Sequence, residues 1–175
     1  MQKYKFKTKP YEHQKTVLED SWAANNYALF MEMGTGKSKI ALDTIGALFE
    51  DGKIDTAFIV APKGVFHNWS QKEIVAHLPD RIQRKVLSWQ PNITKTFRGQ
   101  FEEFCKNTDE LRIFVMNVEA FSTSKGATTA EWFGKNFGEK GIMVVDESTT
   151  IKNRKANWTK AVISAGEHFA YKRLL

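Results

Sequence analysis

The chain has 175 residues, 42% of them hydrophobic and 26% charged, which suffices for one domain with a real core and is too short for two ordinary ones. Its 26 Lys and Arg against 20 Asp and Glu leave a formal charge of +6, a weak pointer to polyanionic partners. No apolar run approaches the roughly 20 residues of a membrane span, and the Lys-rich start is no secretory signal, so the expected location is the cytoplasm, the nucleoid or the nucleus, without membrane or secretion.

Lys3, Lys5, Lys7 and Lys9 alternate with Tyr4, Phe6 and Thr8, the pattern of a short edge strand, an extended arm with one basic face, or a solvated terminus. Pro10 then opens a helix with Gln14 in its first turn, apolar positions at Val17, Leu18 and Trp22, and an end near Asn25-Asn26. Tyr27 to Met31 reads as a strand. After it come Gly34-Thr35-Gly36-Lys37-Ser38 and a helix through Ile40, Leu42, Ile45 and Leu48 to about Phe49, closed by Asp51-Gly52. Thr56 to Ala61 is apolar throughout, as a strand buried on both faces of a parallel sheet must be.

Pro62-Lys63-Gly64 is a loop, and Val65 to His77 a helix with Phe66, Trp69, Ile74 and Val75 facing inward. Trp69 reads as a core anchor. Pro79-Asp80 ends that helix, Lys85 to Trp89 is a strand, and Phe97, Phe101 and Phe104 mark the next helix. The single cysteine, Cys105, follows those phenylalanines and reads as a core thiol in a reducing compartment. Arg112 to Asn117 is a strand, Ser122 to Thr129 a flexible loop, Glu131 to Phe137 a short helix, and Gly141 to Val145 a fully apolar strand running into Asp146-Glu147. Ala156 to Glu167 is helical, and Tyr171 to Leu175 begins another strand.

Strands alternating with helices at this spacing predict an α/β fold with a mostly parallel central sheet and helices on both faces. Ligands of such sheets bind beyond the carboxyl ends of the strands. The glycine turn, Pro62-Lys63, Asn117 and Asp146-Glu147 all fall at such ends and should share one rim.

The glycine turn has the composition of a phosphate cradle. Residues without side chains at Gly34 and Gly36 let backbone N–H groups converge on an anion, and the following helix presents its positive end. Lys37 is placed to reach β- and γ-phosphates, and Ser38 to ligate an accompanying Mg²⁺. Met31 stands where the usual pattern has its first glycine. Asp146, at a buried strand end, suits the metal, and Glu147 is next in line to orient and deprotonate an attacking water.

With these residues set out, a family resemblance follows. Met33 to Ser38, Ala61-Pro62-Lys63-Gly64-Val65 leading to Asn68-Trp69, and Asp146-Glu147-Ser148-Thr149-Thr150-Ile151-Lys152-Asn153 resemble motifs I, Ia and II of superfamily 2 helicases, most of all the Swi/Snf branch. The resemblance implies a RecA-like P-loop lobe that binds ATP with Mg²⁺ and tracks along DNA, duplex favoured and RNA not excluded. By position it implies that Gln14 reads adenine, that Lys63 with Gly64 contacts a nucleic-acid phosphate, that Asn117 lies in motif Ib, and that Lys152 with Asn153 bridges the two sites. Two departures stand out. Thr149 occupies a position where many relatives carry His or Asp, and the sequence stops after Arg173-Leu174-Leu175, where relatives continue into motif III and a second RecA-like lobe.

The expectation is therefore a single N-terminal lobe of a DNA-dependent ATPase, near-inactive until a second lobe joins it in cis or in trans. The alternative is a regulatory module that occupies nucleic acid or a helicase without turnover. A GTPase would need an Asn-Lys-x-Asp motif, and none is present.

Overall fold

In the computed structural model of the chain, residues 4–147 and 156–175 are described. Within them six strands form one all-parallel sheet: β1 (Asn26–Ala28), β2 (Thr56–Ala61), β3 (Arg84–Ser88), β4 (Leu111–Asn117), β5 (Gly141–Val145) and β6 (Tyr171–Leu174), in the spatial order β1-β6-β5-β2-β4-β3. Helix α1 (Glu12–Ser21) precedes β1, and helices α2 (Lys37–Glu50), α4 (Lys95–Cys105), α5 (Ser124–Phe137) and α6 (Asn157–Glu167) connect strands. A helical run over 66–77, here α3, joins β2 to β3. It comprises an α turn at Phe66–Asn68, a π-helical segment at Trp69–Glu73 and a second α turn at Ile74–His77.

The two-residue period of the strands divides the core. Ala57, Ile59 and Ala61 of β2 face the α2 side with Ile113, Val115, Ile142 and Val144. Phe58 and Val60 face the other side with Phe114, Met116, Met143 and Val145. Most of the phenylalanines gather on this second face, where Phe58 lies 5.5 Å from both Phe114 and Phe133 and 5.7 Å from Phe169. β2 and β5 are buried over their whole lengths, as their unbroken apolar runs require.

Helix α2 is enclosed over ten successive residues, from Lys39 to Leu48, because the N-terminal segment lies across its outer side. That segment is an arm and not an edge strand. Tyr4 is buried with its ring against Gly46, Lys39 donates to the Thr8 carbonyl at 2.8 Å and to Asp43 at 2.7 Å, and Lys7 donates to the Val75 carbonyl at 2.8 Å. A buried ammonium is tolerable here because it has both a carboxylate and a carbonyl to donate to.

Other expectations change in detail. β1 ends at Ala28, since the chain turns out of the sheet toward the glycine turn and leaves Phe30 exposed. Val75 is exposed, because the π segment shifts the phase of α3 between Trp69 and Ile74, both buried. Cys105 is only partly buried, yet its burial pushes the thiol pKa up to about 11, away from reactivity near neutral pH. Among the described residues no helix is long and apolar enough to cross a membrane.

The largest correction concerns residues 122–129, expected as a loop. Helix α5 begins at Ser124, and the Thr123 hydroxyl caps it by accepting from the Gly126 N–H at 3.0 Å. Helix formation here wins over a Ser/Thr-rich composition because Gly126 lets α5 approach the backbone at Ala120, which leaves no room for a Cβ. We expect Gly126→Ala to destabilise the fold by about 1–3 kcal/mol, the usual cost of overpacking, as read by urea unfolding. An unchanged midpoint would mean that α5 is not held against Ala120.

Candidate functional site

All strands being parallel, their carboxyl ends lie on one rim. Register places Ala61 opposite Asn117, and Val60 opposite Val145. The Asp146 N–H continues that pattern by donating to the Val60 carbonyl at 2.8 Å. At the other side of the rim, the Leu29 N–H donates to the Leu174 carbonyl and carries the chain from β1 into the glycine turn.

Gly34 and Gly36 have φ of 78° and 86°, in the left-handed region that glycine enters without steric cost. Gly36 is the N-cap of α2, so the turn ends with the helix's unpaired N–H groups facing outward. A Cβ on Gly36 would run into the Gln14 amide, while one on Gly34 would meet open space. The demand for glycine at 36 is thus both conformational and steric.

Gln14, 3% exposed, donates through Nε2 to the Thr35 carbonyl at 3.0 Å and accepts through Oε1 from the Tyr11 N–H at 3.0 Å. Its amide braces the glycine turn. His13, which sequence reasoning passed over, places Nε2 at 3.1 Å from the same Thr35 carbonyl and stacks on the exposed Tyr11 ring. The Thr35 hydroxyl in turn donates to the Glu32 carbonyl at 2.7 Å.

Lys37 donates to the Met31 carbonyl at 3.3 Å. With Gly34, Gly36 and Ser38 it lines a cleft of about 600 Å³ that also receives Asp146, Glu147, Glu73 and His77. The lysine and the acidic pair, far apart in sequence, therefore share one cleft. Asp146 is half-buried, and burial raises its carboxyl pKa against the lowering effects of the Trp69 indole, the Glu147 backbone N–H and the Lys37 charge. Glu147 is exposed and has φ of 55°, a left-handed conformation uncommon for a non-glycine residue and one that clusters at functional sites. Among the described residues there is no group of three or more His, Cys, Asp or Glu suited to a metal. A divalent cation in this cleft would have Ser38 and Asp146 beside it and would need phosphate oxygens and waters to complete its shell.

Trp69 is the core anchor its apolar position implies, at 1% exposure. It also has a polar role that its sequence position did not disclose. Its indole Nε1 donates to Asp146 Oδ2 at 2.8 Å.

Further along the rim, Lys63 and Asn117 line a second hollow with His67, Trp89 and Lys125. Gly64 is exposed in the adjoining loop. The Lys63 backbone N–H donates to both carboxylate oxygens of Glu119, at 3.2 and 3.1 Å, and Asn117 Nδ2 donates to one of them at 3.1 Å. Burial alone would raise the Glu119 pKa, but hydrogen bonds from Asn117, its own backbone and Lys63 outweigh it and hold the carboxyl below its ordinary value. Lys152, Asn153 and Thr149 lie outside the described residues.

A family model described as the SNF2-related domain matches residues 13–170. No match is found among curated protein sequences. The fold is similar to the SWI2/SNF2 ATPase core of Sulfolobus solfataricus, solved in complex with dsDNA, with a TM-score of 0.70 and 16% identity over 98% of this chain and 32% of that one. It is similar to the UvsW helicase of bacteriophage T4, with a TM-score of 0.64 and 15% identity over 96% of this chain and 52% of that one. It is also similar to a nuclease-deletion mutant of the type ISP restriction-modification enzyme LlaGI, solved with a DNA substrate mimic, with a TM-score of 0.62 and 16% identity over 95% of this chain and 17% of that one. The architecture is the RecA-like α/β lobe of this group, and the chain spans between about a sixth and a half of these proteins.

The raised Asp146 pKa has a consequence for stability. A carboxyl whose folded pKa lies above its unfolded one favours the fold when protonated, so its contribution is fully present below the unfolded pKa and is lost as pH rises through the folded one. In metal- and nucleotide-free buffer, Asp146→Asn should therefore melt above the parent at pH 7.5, with the gap closing as pH falls through the carboxylate range. Scanning calorimetry at pH 7.5 and pH 4 checks this, and a parent as stable as the variant at pH 7.5 would contradict it.

Proposed function

The chain belongs to the SNF2-related domain family, and from that premise we propose that it is the ATP-binding first lobe of a DNA-dependent ATPase or translocase of the Swi/Snf type. The observation that carries the reading is the single cleft holding Gly34, Gly36, Lys37 and Ser38 from one end of the sequence and Asp146 and Glu147 from the other. A cradle of N–H groups, a cation and a carboxylate around one cleft are what a magnesium-bound triphosphate needs.

In this reading the backbone of residues 34–38 binds the phosphates, and Lys37 exchanges the Met31 carbonyl for the β- and γ-phosphate oxygens. Ser38 and Asp146 would hold Mg²⁺, which would neutralise charge on the phosphates when bound. Glu147 accepts the proton of the water it orients toward the γ-phosphate. Gln14 holds the turn in place through Thr35 and Tyr11, and would have to release one of those bonds to read the adenine edge. Lys63, Gly64 and Asn117 contribute to the nucleic-acid face, the role that the sequence resemblance also implies for Lys152. Phosphate contacts there position a duplex without reading its sequence.

We place the completing groups on a second RecA-like lobe, supplied in cis or in trans. An arginine supplied across such a cleft can be worth roughly 10³–10⁵ in phosphoryl transfer, so this lobe alone should turn over ATP near background with or without DNA. Robust DNA-stimulated hydrolysis by a verified monomer would refute that division of labour.

Binding itself is tested by melting. Mg·ATP at a hundredfold its Kd should stabilise the chain by about 2.7 kcal/mol and raise the melting temperature accordingly, whereas Lys37→Ala should abolish the shift without changing the far-UV circular dichroism. An equal shift in that variant would show that Lys37 does not hold the phosphates.

A further inference from the structure

We propose that the Trp69 indole N–H is the positioning donor for Asp146, and that through it the loop at Pro62-Lys63-Gly64 acts on the metal-holding carboxylate. The inference rests on the nucleotide reading above and deepens it, since it names a route between the two candidate faces of the rim.

The geometry begins with burial. Trp69 is 1% exposed, so no bulk water reaches the ring to replace its partner, and the Nε1–H can only donate. At 2.8 Å from Asp146 Oδ2 it makes a charge-assisted hydrogen bond across 77 residues of sequence. Asp146 is thereby fixed twice, through its backbone N–H on the Val60 carbonyl and through its side chain on the indole. A carboxylate so held need not be ordered when a cation arrives.

The link continues toward the loop. The N–H groups of Val65 and Phe66 both donate to the Pro62 carbonyl at 2.9 Å, and Asn68 N–H donates to the Val65 carbonyl at 2.9 Å. The loop and the first turn of α3 are thus one hydrogen-bonded unit with Trp69 at its end. There the helix widens into the π segment Trp69–Glu73, a form frequent at functional sites, braced by Asn68 Nδ2 on Glu73 Oε1 at 2.9 Å. Glu73 itself lines the same cleft as Asp146. A nucleic-acid phosphate that draws on Lys63 therefore pulls on a segment whose other end holds the metal carboxylate.

The test follows the indole proton directly. In ¹⁵N HSQC spectra of the 175-residue chain, the Trp69 indole signal, assigned through bonds, should move upfield when Mg·ATP is added, because a cation shares the carboxylate's charge and weakens the hydrogen bond. ATP with EDTA should leave it in place, and duplex DNA without nucleotide should also move it. Trp69→Phe keeps most of the ring and removes the donor. It should weaken Mg·ATP binding by about tenfold while leaving binding of ATP in EDTA unchanged.

A Trp69 signal that stays still while Mg·ATP demonstrably binds, or equal loss of ATP binding with and without Mg²⁺ in Trp69→Phe, would overturn the positioning role. A signal unmoved by DNA that demonstrably binds would overturn the link to the loop. If Trp69→Phe fails to fold, the spectra of the unaltered chain still decide. Absence of any Mg·ATP binding by the unaltered chain would overturn the nucleotide reading, and this inference with it.

Discussion

Strand β2 carries the arrangement on which the chemistry depends. It pairs in parallel with β4 on one side and β5 on the other, in a register that brings Ala61, Asn117 and the residue after Val145 to the same level. Because a one-residue slip would exchange the side chains of the two cores, and because both faces of β2 are filled, this level is fixed by the whole core. Phe58 and its ring neighbours on one side, and Ile59 with Ile113 and Val144 on the other, therefore hold a rim that they do not touch. Asp146 and the Lys63 loop owe their separation along that rim to this register.

The second constraint is the enclosure of α2. A helix that begins at the glycine turn must not move if its N–H groups are to stay aimed outward, and α2 is packed against the sheet on one side and against the N-terminal arm on the other. The Lys39–Asp43 pair, with Tyr4 at 3.4 Å from the Asp43 carboxylate, ties that arm down. Burial raises the Asp43 pKa in spite of the Lys39 hydrogen bond, and the buried pair is closed at 2.7 Å. It locates the arm and the helix relative to each other, a task that apolar contacts alone leave less specific.

Most of the framework was legible in the sequence, and the reasons are physical. Thr56 to Ala61 and Gly141 to Val145 are strands at the expected bounds, since an unbroken apolar run between turn residues has few alternatives to a strand buried on both faces. The glycine turn and the acidic pair announced themselves by composition. What failed did so where a tertiary contact outweighs local preference. Ser122 to Thr129 has the composition of a loop, but Gly126 allows a backbone approach that no local pattern encodes. Val75 fell on the wrong face because a π segment changes the helical period within α3. Trp69 was given its burial but not its hydrogen bond, since a pattern of apolar positions reports where a ring lies and says nothing of its N–H.

Both candidate anion sites share a further property. In each, the donors proposed to meet a phosphate already rest on acceptors of the protein. Lys37 sits on the Met31 carbonyl, and the Lys63 N–H and the Asn117 amide sit on the Glu119 carboxylate. The Lys63 and Asn117 bonds are exposed and the Lys37 bond is partly buried, so these protein oxygens stand where water would otherwise serve the donors. Phosphate binding then exchanges one set of hydrogen bonds for another and gains chiefly the difference between acceptors. For Lys37 that difference is large, since a neutral carbonyl gives way to an anion. For Lys63 it is small, since one anion replaces another and Glu119 must be expelled with its charge. On the proposed reading, the same rim therefore exchanges acceptors at a gain for a triphosphate and at little gain for a nucleic-acid backbone.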